Sequence, residues 1–276
     1  MTITTTKKYF KKKAERYDEV DKQLYWVLSD TLLWSSLKII LDTLPSSFLF
    51  LDAGGGTGRW TEKILRAYPK SNGVLYDVSE NMLKVAHRKL AQFVKNGRLH
   101  IVQGDIEKSN ELKRNTFDVS FNFHNVIGFV DSPARFINKL AQLTKNNRYV
   151  ISFAPNYYHA IYFNISIGNI AEAKRIAATH KGTFTTEMPR IHFFTPETLR
   201  CLYEKAHLTI TQLTGFPNAI YPNYQETQLS GQTTSLATLL SKRQSFNTIV
   251  RIEQSLVQNA DIAARGNNIF IVGKKG

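Results

Sequence analysis

Short apolar runs alternate along the first half of the chain with longer segments of helical periodicity. Four such runs are each followed by glycine or polar residues and then by a helical pattern, at 48–51, 73–77, 99–103 and 117–123. Buried strands that alternate with helices are typical of βαβ units, in which the strands are parallel. A helix over 132–143 and a fifth strand over 148–154 continue the pattern. The order predicts a doubly wound α/β domain.

The second half of the chain is less regular. An aromatic-rich segment at 156–194 precedes a helix that begins at the cap Thr195 and covers 196–206. Strands are predicted at 208–214 and 269–273, and helices near 236–240 and 246–257. We therefore divide the chain as follows: a helical lid segment at 1–45, a core at 46–154 that contains the first five strands, a lid excursion at 155–194, and the end of the core at 195–276 with a helical insertion at about 216–267. Both excursions are expected to lie over the ligand site of such a sheet, at the carboxyl ends of its strands.

A glycine-rich turn follows the first strand. Asp52 closes the strand, and Gly54, Gly56 and Gly58 come at two-residue intervals before the next helix. Glycine lets a ligand approach the backbone and permits positive φ. A dinucleotide fingerprint needs G-x-G-x-x-G, so the G-x-G-x-G spacing and the preceding carboxylate favour a ligand with an ammonium group and no phosphate on the turn.

This run resembles the first motif, D/E-x-G-x-G-x-G, of the class I S-adenosylmethionine-dependent methyltransferases. The resemblance implies a seven-stranded, mostly parallel sheet whose last strand is antiparallel. It also implies S-adenosyl-L-methionine as cofactor, with S-adenosyl-L-homocysteine as the product, and no metal. The match covers residues 9–154 well and leaves the two excursions unexplained.

Acidic residues end the next two strands. Asp77 lies about twenty residues beyond the turn, where a carboxylate can hold ribose hydroxyls. The resemblance assigns Asp105 to the adenine amino group and places Val78, Met82 and Ile106 around the ring. Taken singly, a strand-terminal Asp is as well explained as a helix cap. Their order after the glycine turn favours the cofactor interpretation.

The resemblance also assigns residues near the methyl group and above it. Asn122, at the end of the fourth strand, is expected near the methionine half of the cofactor. An F-x-x-x-A-x-x-Y-D pattern that closes over the cofactor in such enzymes is matched by Phe10, Ala14, Tyr17 and Asp18, which makes Tyr17 the lid candidate.

The methyl acceptor has weaker signals. His124, after the fourth strand, is positioned as a general base, although a structural histidine remains the alternative. Tentative substrate contacts in the excursions are Tyr158, His192, Tyr221, Glu226 and Arg265, of which Arg265 could instead pair with Asp261. An aromatic wall is expected from Tyr157, Tyr158, Tyr162, Phe184, Tyr221 and Tyr224.

A net charge of +14 leaves nucleic acid open as a partner. The basic residues are densest at 7–13, where aromatic residues are interleaved. They either bind RNA or form the solvated face of an amphipathic helix, and we favour the helix. The chain has Asn-Phe-His-Asn at 122–125 in place of the [DNS]-P-P-[YF] motif of base-amine methylation. Its one cysteine, Cys201, is expected to be a buried packing residue.

These observations predict a cytoplasmic enzyme, a monomer or a homodimer, that methylates an oxygen or nitrogen of a small molecule. No apolar run approaches the roughly 18 residues that span a membrane, and no metal-ligand cluster is evident. The alternatives are an RNA methyltransferase and a protein that binds S-adenosylmethionine without turnover.

Overall fold

The computed structural model describes residues 3–222 and 235–276. Its main sheet has seven strands, and a two-stranded sheet lies in the excursion after the fifth. The strands are, in chain order, β1 Leu49–Ala53, β2 Asn72–Asp77, β3 Leu99–Gln103, β4 Phe117–Asn122, β5 Thr144–Pro155, β6 Lys181–Gly182, β7 Ile191–His192, β8 Leu208–Phe216 and β9 Asn268–Lys275.

The main sheet has the order β3-β2-β1-β4-β5-β9-β8. Strands β1 to β5 pair in parallel, whereas β9 runs antiparallel to both β5 and β8. The strand order therefore reverses between β1 and β4, where doubly wound sheets bind ligands at the carboxyl ends of the strands. The predicted fold, including the antiparallel last strand, is confirmed.

Helices cover both faces of the sheet. They are α1 Ile3–Lys13, α2 Leu24–Leu41, α3 Arg59–Ala67, α4 Glu80–Lys89, α5 Ala91–Lys95, α6 Val126–Phe129, α7 Pro133–Leu143, α8 Tyr157–Ser166, α9 Ile170–Thr179, α10 Pro196–Lys205, α11 Ser235–Ser241 and α12 Arg243–Val257. Shorter 3-10 helices cover Ala14–Lys22, Ile106–Lys108 and Ala260–Arg265.

Alternation along the strands produces two separate cores. Phe50 packs with α2 and α3 on one face, and its neighbour Leu51 packs with α7 and α10 on the other. Successive side chains of a strand point to opposite faces, so both neighbours are buried. The excursion between β5 and α10 has a small core of its own, which includes Ile176 and Phe193.

The predicted lid segment at 1–45 contains two different elements. Residues 3–22 lie over the carboxyl ends of the strands, whereas α2 is a core helix that packs against the sheet. By length and composition, α2 is the one described helix apolar enough to cross a membrane, with a mean hydropathy of 1.2, and half of it is buried. The expectation that no run reaches this length was therefore wrong, and the burial of α2 accounts for its composition.

The helices of the predicted insertion also differ from expectation. Both α11 and α12 pack against α2, and Gln254 donates a hydrogen bond to the hydroxyl of Ser35 over 3.4 Å. Leu240 and Val257 belong to the core on that face of the sheet. These two helices therefore pack on α2 as part of the core on that face of the sheet.

Candidate active site

The turn between β1 and α3 is built from glycines with left-handed backbone geometry. Gly54, Gly56 and Gly58 have φ of +79°, +55° and +76°. A Cβ atom on Gly54 would come within 2.5 Å of a Val126 methyl carbon, so this position admits no side chain. A Cβ atom on Gly56 would meet only the Met82 methyl at 3.5 Å. Gly56 is therefore the position of the turn at which the backbone is open to a ligand.

A cavity lies over this turn at the ends of β1, β2 and β4, and we call it the strand-end cavity. Ten of the predicted site residues line it: Tyr17, Asp52, Gly54, Gly56, Asp77, Val78, Met82, Asp105, Ile106 and His124. Thr6, Phe10, Gly55, Glu107 and Phe129 also lie in its wall and were not singled out as contacts.

Asp77 holds the glycine turn in place. Its carboxylate accepts hydrogen bonds from the backbone N–H of Gly56 at 2.9 Å and of Ser79 at 2.7 Å. Burial raises the pKa of Asp77 to about 6, although these N–H groups favour the charged form. A carboxylate in this position can accept further hydrogen bonds from hydroxyl groups in the cavity, because each oxygen has two lone pairs.

Asp52 and Asp105 are held differently. Asp52 is buried and accepts a hydrogen bond from the Thr61 hydroxyl at 2.7 Å, and its burial raises its pKa to about 7. Asp105 caps the following 3-10 helix by accepting from the N–H of Glu107 at 3.1 Å, and it also pairs with Lys108. The capping alternative for Asp105 is thus present together with its place in the cavity wall.

Two predicted cofactor contacts lie away from the cavity wall. Asn122 is fully buried and donates to the Ser152 hydroxyl at 2.7 Å and to the Ile151 carbonyl, so its amide joins β4 to β5. Gly58 is the left-handed N-cap of α3. Neither residue lines the cavity. Asn122 supports the strands and Gly58 the turn that form the cavity.

The N-terminal segment covers the strand-end cavity. Phe10 packs against Tyr17 and Phe129, at centroid separations of 6.2 and 5.1 Å. Asp18 accepts from the Thr57 hydroxyl at 2.5 Å and pairs with Lys89 at 2.7 Å. The lid is therefore tied to the glycine turn and to α4 by polar contacts and to α6 by aromatic contacts.

A buried polar cluster lies beside the lid. His124 Nε2 accepts a hydrogen bond from Trp60 Nε1 at 2.8 Å and lies 3.2 Å from Asp30 Oδ1. Arg59 pairs with Asp30 at 2.5 Å and also with Asp21. Burial alone would raise the pKa of Asp30, but its contacts with His124 and Arg59 lower it below the usual value. Asp30 is therefore an anion held beside the imidazole.

A second cavity adjoins the first, and we call it the aromatic cavity. The two cavities share Phe10, Tyr17, Arg59, His124 and Phe129. The remaining lining residues of the aromatic cavity are Tyr9, Lys13, Val20, Trp26, Asn125, His159, Phe163, Phe184, Thr185, Met188, Pro222, Asn267 and Asn268. His124 is thus in the wall between the strand-end cavity and the aromatic cavity.

Most of the predicted substrate contacts do not line either cavity. Tyr158 is 45% exposed, and burial lowers the pKa of His192 to about 4 without placing it in a cavity wall. The Tyr221 hydroxyl donates to the carbonyl of Arg265, and Arg265 Nε donates to the carbonyl of Asn218 at 3.1 Å. These side chains stabilise the loops behind the site.

The sequence predicted a wall of six aromatic residues, whereas the aromatic cavity is lined mostly by other aromatic residues. Of the six aromatic residues named from the sequence, the structure places Phe184 in the aromatic cavity. Glu226 and Tyr224 lie outside the described residues.

The expected packing role of Cys201 was wrong, since it is exposed on α10. Within 3–222 and 235–276, no group of three His, Cys, Asp or Glu side chains is arranged to hold a metal.

Asp30 and His159 were missed by the sequence analysis. Asp30 is the one acidic residue in the apolar helix α2, and His159 stands in the apolar helix α8. A charged or polar residue within an apolar helix is a usable signal, because it has to find a buried partner.

Comparisons with known proteins agree with this arrangement. A family model described as "Methyltransferase domain" matches residues 50–147. A malonyl-[acyl-carrier protein] O-methyltransferase of Halalkalibacterium halodurans is 26% identical over 162 residues, which cover 57% of this chain and 58% of the relative. A ubiquinone/menaquinone biosynthesis C-methyltransferase of Ectopseudomonas oleovorans is 33% identical over 126 residues, 42% of this chain and 73% of the relative.

A solved structure extends the likeness of fold to the whole chain. It is an S-adenosylmethionine-dependent methyltransferase of Thermotoga maritima, described as a possible histamine N-methyltransferase. It has a TM-score of 0.58 at 17% identity and covers 98% of this chain and 99% of its own. The chain spans only about half the length of the first curated relatives it matches. The glycine turn, the strand order and these matches together show that the chain belongs to the class I S-adenosylmethionine-dependent methyltransferase family.

Proposed function

We propose that this protein transfers a methyl group from S-adenosylmethionine to an oxygen or nitrogen of a small molecule. The observation that carries the proposal is the pair of adjoining cavities with His124 in their common wall. A group-transfer enzyme has to hold donor and acceptor in line and exclude water. The strand-end cavity is the proposed donor site and the aromatic cavity the proposed acceptor site.

The strand-end cavity has the donor set that the cofactor requires. Asp77 presents a carboxylate at the end of β2 beside the open backbone at Gly56, which suits two ribose hydroxyls. Val78, Met82 and Ile106 supply apolar surface for the adenine ring. Most residues carried over from the family motif therefore meet in one cavity and fit S-adenosylmethionine.

His124 is the proposed proton acceptor. When bound, S-adenosylmethionine supplies a methyl group on a positively charged sulfur, which keeps the electron pair of the bond that breaks. A lone pair on the acceptor's oxygen or nitrogen forms the new bond to the methyl carbon, and the displaced proton passes to Nε2 of His124, which gives up the hydrogen bond from Trp60 as it is protonated. Asp30, 3.2 Å from the ring, stabilises the resulting imidazolium. Asp30 is thus a positioning residue.

The lid provides the exclusion of water. Tyr17 lines both cavities, and burial raises the pKa of its hydroxyl to about 12, so the side chain stays neutral. Phe10 and Phe129 complete the cover. Water is thereby kept from competing with the acceptor for the methyl group.

RNA as the acceptor finds less support in the arrangement of α1. Lys7, Lys8, Lys11 and Lys12 are exposed. The aromatic rings between them face Phe129, which leaves them unavailable for stacking on bases. This favours the amphipathic-helix interpretation of the basic segment.

The test is transfer of labelled methyl from S-adenosylmethionine into cell extract that is then separated into RNA, protein and metabolites. We expect label in the metabolite fraction, and loss of that label with Asp77→Asn. Label in RNA that disappears when the four exposed lysines of α1 are changed to glutamate would establish the RNA alternative. Binding of S-adenosylhomocysteine with no label in any fraction would favour a protein that binds the cofactor without turnover.

A further inference from the structure

The aromatic cavity carries information about the acceptor that the family match does not give. Its wall combines many rings with two cations and a set of neutral polar groups, and their chemistry limits what can bind. We propose that the cavity takes an uncharged, ring-bearing molecule with a hydroxyl or carbonyl group, and that His159 anchors this group by one hydrogen bond. This inference rests on the proposed function, because it names the acceptor class of the same site.

The first step concerns the rings. Phe10, Phe129, Phe163 and Phe184 line the cavity together with Met188. Flat apolar surfaces of this kind bind rings by burial of apolar area and by offset or edge contacts. A ring-bearing acceptor therefore fits the wall better than a small polar metabolite does.

The second step concerns charge. Among the described lining residues of this cavity there is no carboxylate, and its two cations are Lys13 and Arg59. Arg59 is paired with Asp21 and Asp30. An ammonium group would find no carboxylate among these described residues and would lie beside two cations, which is costly in a buried site.

Lys13 is also poorly suited to an anion. Its ammonium donates to the Tyr9 hydroxyl at 2.7 Å and lies 4.4 Å from the centre of that ring. Burial lowers the pKa of Lys13, although the charge of Glu187 opposes this effect. An anionic acceptor that binds this ammonium would lie near the charge of Glu187, whereas a neutral acceptor meets no such repulsion.

The third step concerns His159. This side chain is 5% exposed, and its Nδ1 has no hydrogen-bond partner among the residues the structure describes. Tyr221, Phe184 and Phe163 surround the ring, at centroid separations of 5.3, 6.0 and 6.2 Å. Burial lowers the pKa of His159 to about 3, so the imidazole is neutral. Because Nδ1 has almost no accessible surface in the free protein, a ligand hydrogen bond to it requires the ring to turn toward the cavity, and such a bond gives this buried polar atom its missing partner.

The other polar groups of the wall are neutral amides that are already partly used. Asn267 donates to Asn268 at 2.7 Å, and Asn268 donates to Asn125 at the same distance. Asn125 is the next residue after His124 in the chain, so the three hydrogen-bonded amides lie close to this histidine in the cavity wall. An acceptor held by His159 can thus present a second group to the amides while its reactive atom faces His124.

The experiment uses three probes of one ring system: a naphthol, naphthoate and a naphthylmethylammonium. Each is titrated into the full chain by calorimetry, with and without saturating S-adenosylhomocysteine. We expect the naphthol to bind at least about tenfold more tightly than either charged probe, since the ammonium would lie beside two cations and the carboxylate near the charge of Glu187. Absence of naphthol binding, or equal or tighter binding of the ammonium or the carboxylate, would overturn the inference.

Variants at position 159 test the anchor. His159→Phe keeps a ring of similar size but removes the nitrogen, and we expect about tenfold weaker naphthol binding. His159→Gln restores a neutral hydrogen-bonding group and should recover part of the affinity. Unchanged naphthol affinity in His159→Phe would refute the anchoring role.

Affinity for S-adenosylhomocysteine separates the two proposals. His159 does not line the strand-end cavity, so we expect donor affinity to be the same in all three proteins and to show that the variants fold. Selective naphthol binding without donor binding would count against the proposed methyl transfer and leave the acceptor class standing. Binding of S-adenosylhomocysteine together with equal or tighter binding of a charged probe would overturn the inference about the acceptor and leave the proposed methyl transfer standing.

Discussion

Replacing Asp77 by asparagine separates binding from stability. The Asp77 carboxylate accepts the N–H groups of Gly56 and Ser79 and is the proposed ribose contact. Two charge-assisted hydrogen bonds to ribose, at about 1.5 to 3 kcal/mol each, are worth roughly 3 to 6 kcal/mol, or about 10² to 10⁴ in affinity. An amide retains part of this, so we expect Asp77→Asn to weaken S-adenosylhomocysteine binding by about 10² or more.

The stability of the free protein should change much less. A pKa raised from 3.8 to about 6 corresponds to at most about 3 kcal/mol that opposes folding above pH 7, and the neutral amide removes it. Against this, the asparagine leaves one backbone N–H without an acceptor, at a cost of about 1 to 3 kcal/mol. The two effects nearly cancel, so the free energy of unfolding should stay within about 1 to 2 kcal/mol of the wild type.

Asp118 provides the matched control. It is a buried acid at the opposite end of the sheet, where it accepts from the Leu49 N–H at 2.9 Å and pairs with Lys145 and Arg148. Asp118→Asn should lower the free energy of unfolding and leave the affinity for S-adenosylhomocysteine within about threefold. For both variants, calorimetric titration measures the affinity for S-adenosylhomocysteine and urea unfolding measures the free energy of unfolding. The reasoning is refuted if Asp77→Asn binds like the wild type or if Asp118→Asn loses affinity as strongly.

Three further predictions concern pH, proton transfer and the glycine turn. Because burial raises the pKa of Asp77 to about 6, its ionised form is lost as pH falls; affinity for S-adenosylhomocysteine should be full above about pH 7 and drop below about pH 6, and a flat calorimetric profile would contradict this. With the acceptor identified, His124→Ala should lower kcat by about 10² to 10⁴, and an unchanged kcat would contradict its role as proton acceptor. Asp30→Asn should also lower kcat, because the imidazolium that forms during transfer loses its neighbouring anion; an unchanged kcat would exclude this role. Gly54→Ala should abolish donor binding and unfold at lower urea than Gly97→Ala, which has a similar φ of +76° but open space around it; equal effects would show that the close packing at Gly54 is unimportant.

The positions of strands and helices in the core could be predicted from the sequence because they depend on local patterns. The predicted strand at 99–103 agrees with β3, and the strand at 73–77 lacks one residue of β2. The capping residue Thr195 begins α10 as expected, with a capping box to Thr198. Alternation and capping act within a few residues, so the sequence alone contains the information.

The family motif also predicted which residues meet at the strand ends. Asp52, Asp77 and Asp105 are far apart in the chain, but each lies in or just after the last residues of a parallel strand, and these strand ends share one edge of the sheet. The parallel arrangement of the strands therefore brings these three aspartates together around one cavity. Asn122 is the exception, because its side chain is turned into the sheet, where it binds β5.

Only the tertiary structure decided the acceptor side. Asp30 on α2 and His124 after β4 are almost one hundred residues apart and become neighbours through the packing of α2 on the sheet. His159 meets the lid because the excursion folds against α1, and α11 and α12 pack on α2 instead of covering the site. The sequence by itself determined the fold, the glycine turn and the cofactor family, since these follow from periodicity and a contiguous motif. The acceptor cavity depends on contacts between distant segments, for which no local pattern exists.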